Sequence, residues 1–218
     1  MTESVVLLHG LARTSRAMRP MAQALQAAGY AVYNIDYPSR DYPVEELARQ
    51  VFEPLASQLN NPACRVHFVT HSMGGILLRY HLSKQQPAGL GRTVMLSPPS
   101  QGSEVVDKLG DLAVFQWING PAGAQLGTGA DSLPLQLGPA DFDVGIITGN
   151  RSINLLLSQL IPGPDDGKVS VARARLEGMR DFLVMPYSHP FIMRREAVIK
   201  QTLHYLRHGR FIPMESSA

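Results

Sequence analysis

Cysteine is nearly absent from this 218-residue sequence, which contains only Cys64. One cysteine excludes an internal disulfide, a Cys-x-x-Cys redox motif and a cysteine-rich zinc site. Long apolar runs are also missing, since none approaches the roughly 20 residues of a membrane-spanning helix. The first residues, MTES, lead directly into a predicted strand and lack the basic region and apolar core of a signal peptide. We therefore expect a cytoplasmic protein without an integral membrane segment.

Charged residues are also sparse. They make up 17% of the chain, below the roughly 25% of an average globular protein. The formal net charge is +2, and the densest basic clusters are Arg173 to Arg175 and Arg194-Arg195. Neither is a basic stripe with interleaved aromatic residues, so we predict no nucleic-acid partner. The acidic pair Asp165-Asp166 is too small a cluster for a metal site, and we expect no metal and no cofactor.

The apolar residues, 44% of the chain, predict an α/β fold with a substantial core. A chain of this length buries about 70% of the surface that its unfolded form exposes, and we treat residues 1–218 as one domain. Six short apolar runs without polar alternation are typical of strands covered on both faces of a parallel sheet. They are Ser4 to Leu8, Ala31 to Ile35, Arg65 to Val69, Arg92 to Leu96, Val144 to Thr148 and Phe182 to Met185.

Helical patterns alternate with these strands, which favours right-handed crossover connections. We predict helices at about 18–25, 47–59, from 74 onward, somewhere within 104–118, at about 152–161 and at 198–206. Residues 119–141 are rich in glycine, proline and leucine and have no helical or strand period. A loop this long is usually functional or mobile, so we expect a flexible loop there, and a C-terminal tail at about 211–218.

A serine follows the third predicted strand in the stretch VTHSMGG, residues 69–75. Ser72 therefore lies at the carboxyl edge of the sheet, where ligands of open parallel sheets bind. Gly74 and Gly75 suit a sharp strand-turn-helix connection, the context of a G-x-S-x-G nucleophile elbow. Thr70 occupies the first glycine position of that motif. Taken alone, a serine before glycines is more often a helix cap than a nucleophile.

A nucleophilic serine needs a base, and the base needs an acid that orients it. His189 follows the last strand at the same sheet edge and comes after the serine in the chain, as the order serine, acid, histidine requires. Asp165 and Asp166 precede it in a turn-forming stretch, and we prefer Asp166 as the acid. The other histidines are predicted to be structural or surface residues: His9, His67, His71, His81, His204 and His208.

An oxyanion hole requires backbone N–H donors beside the nucleophile. We assign one donor to Met73, the residue after the serine, and the other to Leu11 in the loop after the first strand. Gly10 would let this loop approach the substrate. We expect His9 to support the loop, and His71 to pack or hydrogen-bond behind the reacting groups.

Four segments together resemble an α/β-hydrolase of the bacterial lipase and esterase type. They are LLHGL after the first strand, THSMGG at the elbow, PDDGKVSV around the acid and SHPFIM at the base, and the resemblance extends from Val5 to about Arg210. The family's first two strands are missing from this sequence. The resemblance therefore implies a minimal, single-domain hydrolase with about six mostly parallel strands, in the order 4-3-5-6-7-8 of the family's naming, without a separate cap domain.

The same resemblance implies a serine esterase or lipase in which Ser72 forms an acyl-enzyme, His189 acts as base and then acid, and Asp166 orients His189. We expect a small-molecule ester or lipid substrate. Leu11, Met73, Trp117 and the loop at 119–137 are candidates for an acyl pocket or a mobile flap, or else ordinary core residues. An amide or thioester hydrolase, and a non-catalytic lipid-binding protein, are the alternatives. Oligomeric state, chain-length preference and physiological substrate do not follow from the sequence.

Overall fold

The fold is built on one six-stranded parallel sheet in a computed structural model that describes residues 2–61, 63–110, 112–153 and 158–214. The strand order is β2-β1-β3-β4-β5-β6, with every neighbouring pair parallel. All six predicted strands and the implied strand order are confirmed. The strands are β1 (Thr2–Leu8), β2 (Ala31–Ile35), β3 (Cys64–His71), β4 (Leu90–Leu96), β5 (Val144–Gly149) and β6 (Asp181–Met185).

Helices cover both faces of this sheet because successive strand side chains point in opposite directions. The helices of the described residues are α1 (Arg19–Ala27), α2 (Val44–Phe52), α3 (Ala56–Leu59), α4 (Met73–Lys84), α5 (Glu104–Leu109), α6 (Ala113–Ala124), α7 (Leu133–Gln136), α8 (Val171–Ala174) and α9 (Glu196–His208). Val6 and Leu8 of β1 join one apolar cluster, with side chains of α2 and α4. Val5 and Leu7 join the other cluster, with side chains of α1 and α9.

Three helical predictions differ from the structure. The pattern at 47–59 is interrupted by a 3-10 turn at Glu53–Leu55, since Pro54 cannot donate a backbone hydrogen bond. The pattern within 104–118 contains two helices, α5 and the first part of α6. Of the helix expected at about 152–161, residues 154–157 lie outside the described residues, and of the other six residues only Ser158 is helical. The tail prediction at 211–218 likewise reaches into residues that the structure leaves out.

The segment at 119–141 was predicted to be an irregular loop, and that prediction is wrong for part of it. The second half of α6 and all of α7 lie within it. Gly120 has φ 62° and ψ −171°, which bends α6, and Pro121 then starts a new helical turn because proline suits the first position of a helix. The bend and the short length of α7 hide the 3.6-residue period on which the prediction depended.

Buried polar side chains attach this segment to the rest of the fold. The guanidinium of Arg79, on α4, donates to the carbonyl oxygens of Ser100, Pro134 and Gly138 at 2.7–3.0 Å. Burial lowers the pKa of Arg79 to about 10. The Gln125 side chain accepts a hydrogen bond from the Val44 N–H at 2.8 Å. The segment is therefore held over the carboxyl edge of the sheet by α4 and α2.

We predict that Gly74→Ala destabilises the protein. A Cβ at Gly74 would lie 2.7 Å from the His9 carbonyl oxygen and 2.8 Å from that of Leu8. Both are backbone atoms of the β1 end, so relief requires a shift of α4 against the sheet. We expect a loss of about 1–3 kcal/mol in the free energy of unfolding, measured by urea denaturation.

Gly75→Ala is the matched control, one residue further along the same helix. Its Cβ would lie 3.3 Å from side-chain atoms of Met95, Pro98 and Thr70, which is a tight contact but longer than the 2.7 and 2.8 Å at Gly74. The helical preference of alanine acts in the opposite direction. Equal losses in the two variants would contradict the importance of the α4–β1 contact.

Candidate active site

Ser72 lies between β3, which ends at His71, and α4, which begins at Met73. Its backbone has φ 53° and ψ −126°, a region that residues other than glycine rarely adopt. Its hydroxyl makes no capping hydrogen bond to α4, so the helix-cap interpretation has no contact to support it. Thr70 fits because it is buried inside β3, where a β-branched residue is favourable.

The hydroxyl of Ser72 belongs to a continuous hydrogen-bonded series instead. Ser72 Oγ lies 2.9 Å from Nε2 of His189, and His189 Nδ1 lies 2.8 Å from Oδ2 of Asp166. The backbone joins the last two residues as well, since the His189 N–H donates to the Asp166 carbonyl at 2.8 Å. The side chains that meet here come from the ends of β3 and β6 and from the loop before α8.

The two adjacent aspartates have different partners. Asp165 accepts hydrogen bonds from the Ser158 hydroxyl and from the Gly167 N–H, and so shapes its own loop. Asp166 accepts from His189, and its other oxygen accepts from the Lys168 and Val169 N–H groups at 3.1 and 2.9 Å. Of the two carboxylates, only that of Asp166 reaches the histidine.

Electrostatics favour the ionised form of Asp166. Burial alone would raise its pKa, but the charge of His189 and the hydrogen bonds from His189 and the Val169 N–H outweigh burial and lower the pKa below 3.8. An ionised carboxylate accepts the Nδ1–H of the imidazole. The Nε2 lone pair is then directed at Ser72, which is the arrangement a general base needs.

The loop after β1 packs directly against the serine. A Cβ at Gly10 would lie 3.1 Å from Ser72 Cβ and 2.7 Å from His71 Nδ1, so no larger residue fits there without movement. Leu11 follows at the cavity wall, and the Met73 N–H lies in the first turn of α4, where backbone donors lack a partner within the helix. These are the two N–H groups that the sequence nominates as oxyanion donors.

Two supporting histidines hold these loops. His9 stacks on Tyr37 with ring centroids 4.0 Å apart, and the Tyr37 hydroxyl donates to the His9 carbonyl. Nδ1 of His9 donates to the Gly10 carbonyl at 2.9 Å. His71 Nε2 donates to the His189 carbonyl at 3.0 Å, and the two rings lie 4.9 Å apart. Burial, and then the charge of His189, hold the pKa of His71 well below 6.5.

A cavity of about 260 Å³ opens above Ser72 and His189. Its wall corrects part of the predicted acyl pocket. Leu11 lines it as expected, whereas Met73 is fully buried in the core. Trp117 is 78% exposed, and so it is neither a core residue nor part of this wall.

Sequence reasoning missed several wall residues. From α5 and its neighbourhood come Val105, Val106 and Leu109, and two cationic side chains, Arg13 and Lys168, also line the cavity. Their positions in the sequence could have indicated the two cations, since Arg13 is two residues after Leu11 and Lys168 is two residues after Asp166. Within the described residues, no three His, Cys, Asp or Glu side chains cluster as metal ligands would. No helix in that part of the chain is long and apolar enough to span a bilayer.

Comparisons with known proteins point to one family. A family model described as "Alpha/beta hydrolase family" matches residues 5–210. No curated protein sequence matches the chain at a significant level. Similar solved structures include the mature lipase BlEst2 of Bacillus licheniformis, at 21% identity and TM-score 0.70, with 93% of this chain and 88% of that chain covered.

Two further structures are similar. Phospholipase PlaB of Legionella pneumophila is 20% identical with TM-score 0.69, over 94% of this chain and 57% of that chain. Tomato methylketone synthase I, complexed with 2-tridecanone, is 11% identical with TM-score 0.62, over 95% and 98% of the two chains. At these identities the likeness concerns the fold.

Because the two aspartates have different partners, we expect their substitution by asparagine to have different effects on the reactivity of Ser72. Asp166→Asn replaces the acceptor of the His189 Nδ1–H, so we expect labelling of Ser72 by a fluorophosphonate to slow by about 10²- to 10⁴-fold. Asp165→Asn, the matched control, leaves that acceptor in place and is expected to label within a few-fold of the unmodified protein. Labelling rates can be followed by intact-protein mass spectrometry. Equal slowing in both variants would contradict the assignment.

Four histidines with lowered pKa values lead us to expect that the protein is less stable at acidic pH. Burial lowers the pKa of His9, His67 and His71 below 6.5, and that of His81 to about 4. Below pH 6.5 the unfolded chain therefore binds more protons than the folded protein, so the free energy of unfolding must fall as pH decreases toward about 4. Asp166 acts in the same direction at lower pH, because its stabilising effect is lost once the pH falls below its lowered pKa.

Urea denaturation at pH 7 and pH 5 measures this effect. We expect His81→Phe, which keeps a ring to stack on Phe52, to reduce the difference between the two pH values. His208→Gln, at an exposed position of α9, is the control. A free energy of unfolding that stays constant or rises on acidification would contradict the prediction.

Proposed function

Because the chain belongs to the α/β hydrolase family, we propose that it is a serine hydrolase that cleaves carboxylic esters, in the manner of a carboxylesterase or lipase. The observation that carries the proposal is the hydrogen-bonded series from Ser72 through His189 to Asp166. Ser72 and His189 of this series line a cavity large enough for a small acyl group. Nucleophile, base and orienting acid therefore meet at one place that a substrate can enter.

In the first half of the reaction, Ser72 Oγ attacks the ester carbonyl carbon while His189 Nε2 takes the hydroxyl proton. Asp166 holds the imidazole in the tautomer that accepts this proton and stabilises the imidazolium that forms. The tetrahedral intermediate collapses when its carbon–oxygen bond to the alcohol breaks, and His189 returns the proton to the leaving alcohol. An acyl-enzyme on Ser72 remains.

In the second half, water replaces the alcohol. His189 removes a proton from water, the resulting hydroxide equivalent attacks the acyl carbon, and the bond to Ser72 Oγ breaks as the proton passes to that oxygen. The carboxylic acid product leaves and the serine is regenerated. Each tetrahedral intermediate carries an oxyanion, for which the Leu11 and Met73 N–H groups are the proposed donors, and loss of one such donor costs about 10²- to 10³-fold in rate.

The cavity supports an apolar acyl chain as substrate. Val105, Val106, Leu109 and Leu126 give the cavity an apolar part, and burial of an alkyl chain there is favourable by about 0.8 kcal/mol per methylene. Two of the similar structures are a lipase and a phospholipase, which agrees with a lipid-like ester. The cytoplasmic location expected from the sequence stays a prediction.

Two other functions use the same residues. An amide or thioester hydrolase would share the acyl-enzyme chemistry, and only substrate comparison separates it from an esterase. A non-catalytic lipid-binding protein would need the cavity alone. The strained backbone of Ser72 favours the catalytic proposal, because such strain persists chiefly where a site depends on it.

Hydrolysis of nitrophenyl esters of increasing acyl length tests the proposal. We expect measurable turnover by the unmodified protein and a loss of at least about 10³-fold in Ser72→Ala. Ser83→Ala, at the exposed far end of the same helix, is the matched control and should retain full activity. The acyl length with the highest kcat/KM gives the depth of the cavity.

Absence of turnover for every ester, together with no fluorophosphonate labelling of Ser72, would overturn the esterase proposal. Binding of fatty acid in that case would favour the lipid-binding alternative. Faster turnover of a matched thioester or amide would move the assignment to that bond type.

A further inference from the structure

Two cationic side chains stand beside the reacting groups. Arg13 and Lys168 line the same cavity as Ser72 and His189. Arg13 comes from the loop after β1, and Lys168 from the loop that carries Asp166. Each of the two loops that flank the serine therefore contributes one positive charge to the cavity wall.

These charges have no anionic partner among the residues that the structure describes. Among the residues that the structure describes, neither Arg13 nor Lys168 forms an ion pair or a side-chain hydrogen bond, although other arginines of the chain do so. The nearby Asp166 carboxylate is already occupied by His189 and by two backbone N–H groups. Arg13 and Lys168 are thus available to a ligand.

The two cations also act on one another. Both side chains are exposed. Desolvation by the surrounding protein atoms lowers the pKa of Lys168, the charge of Arg13 lowers it further, and Asp166 opposes both. The same two cations also disfavour a charge on His71. Like charges in one cavity wall repel each other, and an anion between them removes that repulsion while gaining charge-assisted hydrogen bonds.

The cavity is therefore amphipathic. The cations face an apolar wall that includes Val105, Val106 and Leu109. A fully apolar ester would leave the cations without partners, whereas a purely polar ester would leave the apolar wall uncovered. An ester with an alkyl part and an anionic part satisfies both sides.

Further arginines lie near Arg13, in the wall of a neighbouring cavity. Arg13 also lines a second, larger cavity of about 750 Å³, together with Arg16, Arg40 and Arg194. Asp36 and Asp41 lie in that wall too, and Asp36 accepts a hydrogen bond from the Ser15 N–H. Arg13 is thus shared by the two cavities, and a charged substrate group that contacts Arg13 has room to extend into the larger one.

We propose that the substrate is an amphiphilic ester that carries a carboxylate or phosphate near the scissile bond, and that Arg13 and Lys168 form the subsite for this anion. The inference rests on the esterase function proposed above. Its chemistry is the same whether the anion belongs to the acyl part or to the alcohol part. The two sources are separated by the choice of ester.

Pairs of esters in which only one member carries an anion test the subsite. On the acyl side, the monomethyl ester of butylmalonic acid is compared with methyl 2-methylhexanoate; on the alcohol side, hexanoylglycerol phosphate is compared with hexanoylglycerol. We expect kcat/KM for at least one anionic ester to exceed that of its neutral partner by about tenfold at low ionic strength. The pair that shows the preference identifies the source, and added salt should reduce the preference.

Variants assign the preference to the two residues. Arg13→Gln and Lys168→Gln are each expected to lower the anionic-to-neutral ratio of kcat/KM by about five- to tenfold. Lys200→Gln removes one positive charge at an exposed position of α9 and should leave the ratio unchanged. A ratio that is equally affected by Lys200→Gln, or unaffected by all three variants, overturns the assignment.

The remaining outcomes separate the two proposals. Efficient hydrolysis of the neutral esters without preference for either anionic ester overturns the anionic subsite and leaves the esterase function standing. If no ester is hydrolysed, the esterase proposal fails, and binding of hexyl phosphate against hexanol, measured by calorimetry, decides the subsite. Binding of hexyl phosphate that weakens in Arg13→Gln supports it, and equal or absent binding overturns it.

Discussion

The contact between the first turn of α4 and the carboxyl end of β1 is the constraint on which the site depends. At Gly74 the helix approaches the carbonyl oxygens of Leu8 and His9 so closely that a Cβ has no space. This approach brings Ser72, at the start of the helix, against Gly10 in the loop after β1. The proposed nucleophile and the proposed oxyanion loop are therefore neighbours, because two elements of the sheet edge pack without side chains between them. The positive φ of Ser72 is the conformational cost of that packing.

The polar side chains around this contact are of two kinds: some are hydrogen-bonded within the protein, and others are left for a ligand. Both carboxylate oxygens of Asp166 accept hydrogen bonds, one from His189 and the other from backbone N–H groups. His9 and His71 each donate a hydrogen bond to a backbone carbonyl of the loops around the site. These buried groups position the loops. Arg13 and Lys168, in contrast, have no ion-pair partner among the described residues. The first kind stabilises the loops of the site, and the second kind can bind a substrate.

The segment between β4 and β5 connects the fold to the substrate chemistry. It supplies the apolar cavity wall from α5 and from the region around Leu126, and Arg79 and Gln125 attach it to α4 and α2. Trp117 lies outside this wall and is mostly exposed. The helices of this segment are short or bent, and contacts with α4 and α2 position them, which is why the local sequence pattern carried little information.

The sequence by itself determined the α/β class and the six strands, because β-branched runs are local features that each segment carries alone. The strand order followed from the resemblance of its motifs, such as the one around Ser72, to the α/β-hydrolase family. The sequence also nominated Ser72 and His189, and it favoured Asp166 over Asp165. Only the tertiary structure showed which carboxylate reaches the histidine, since both aspartates occupy the same turn and His189 lies 23 positions beyond Asp166. It alone decided that Met73 and Trp117 stay out of the cavity wall and that Arg13 and Lys168 meet there. Those outcomes depend on how distant loops approach at the sheet edge, and such long-range contacts leave no periodic trace in the chain.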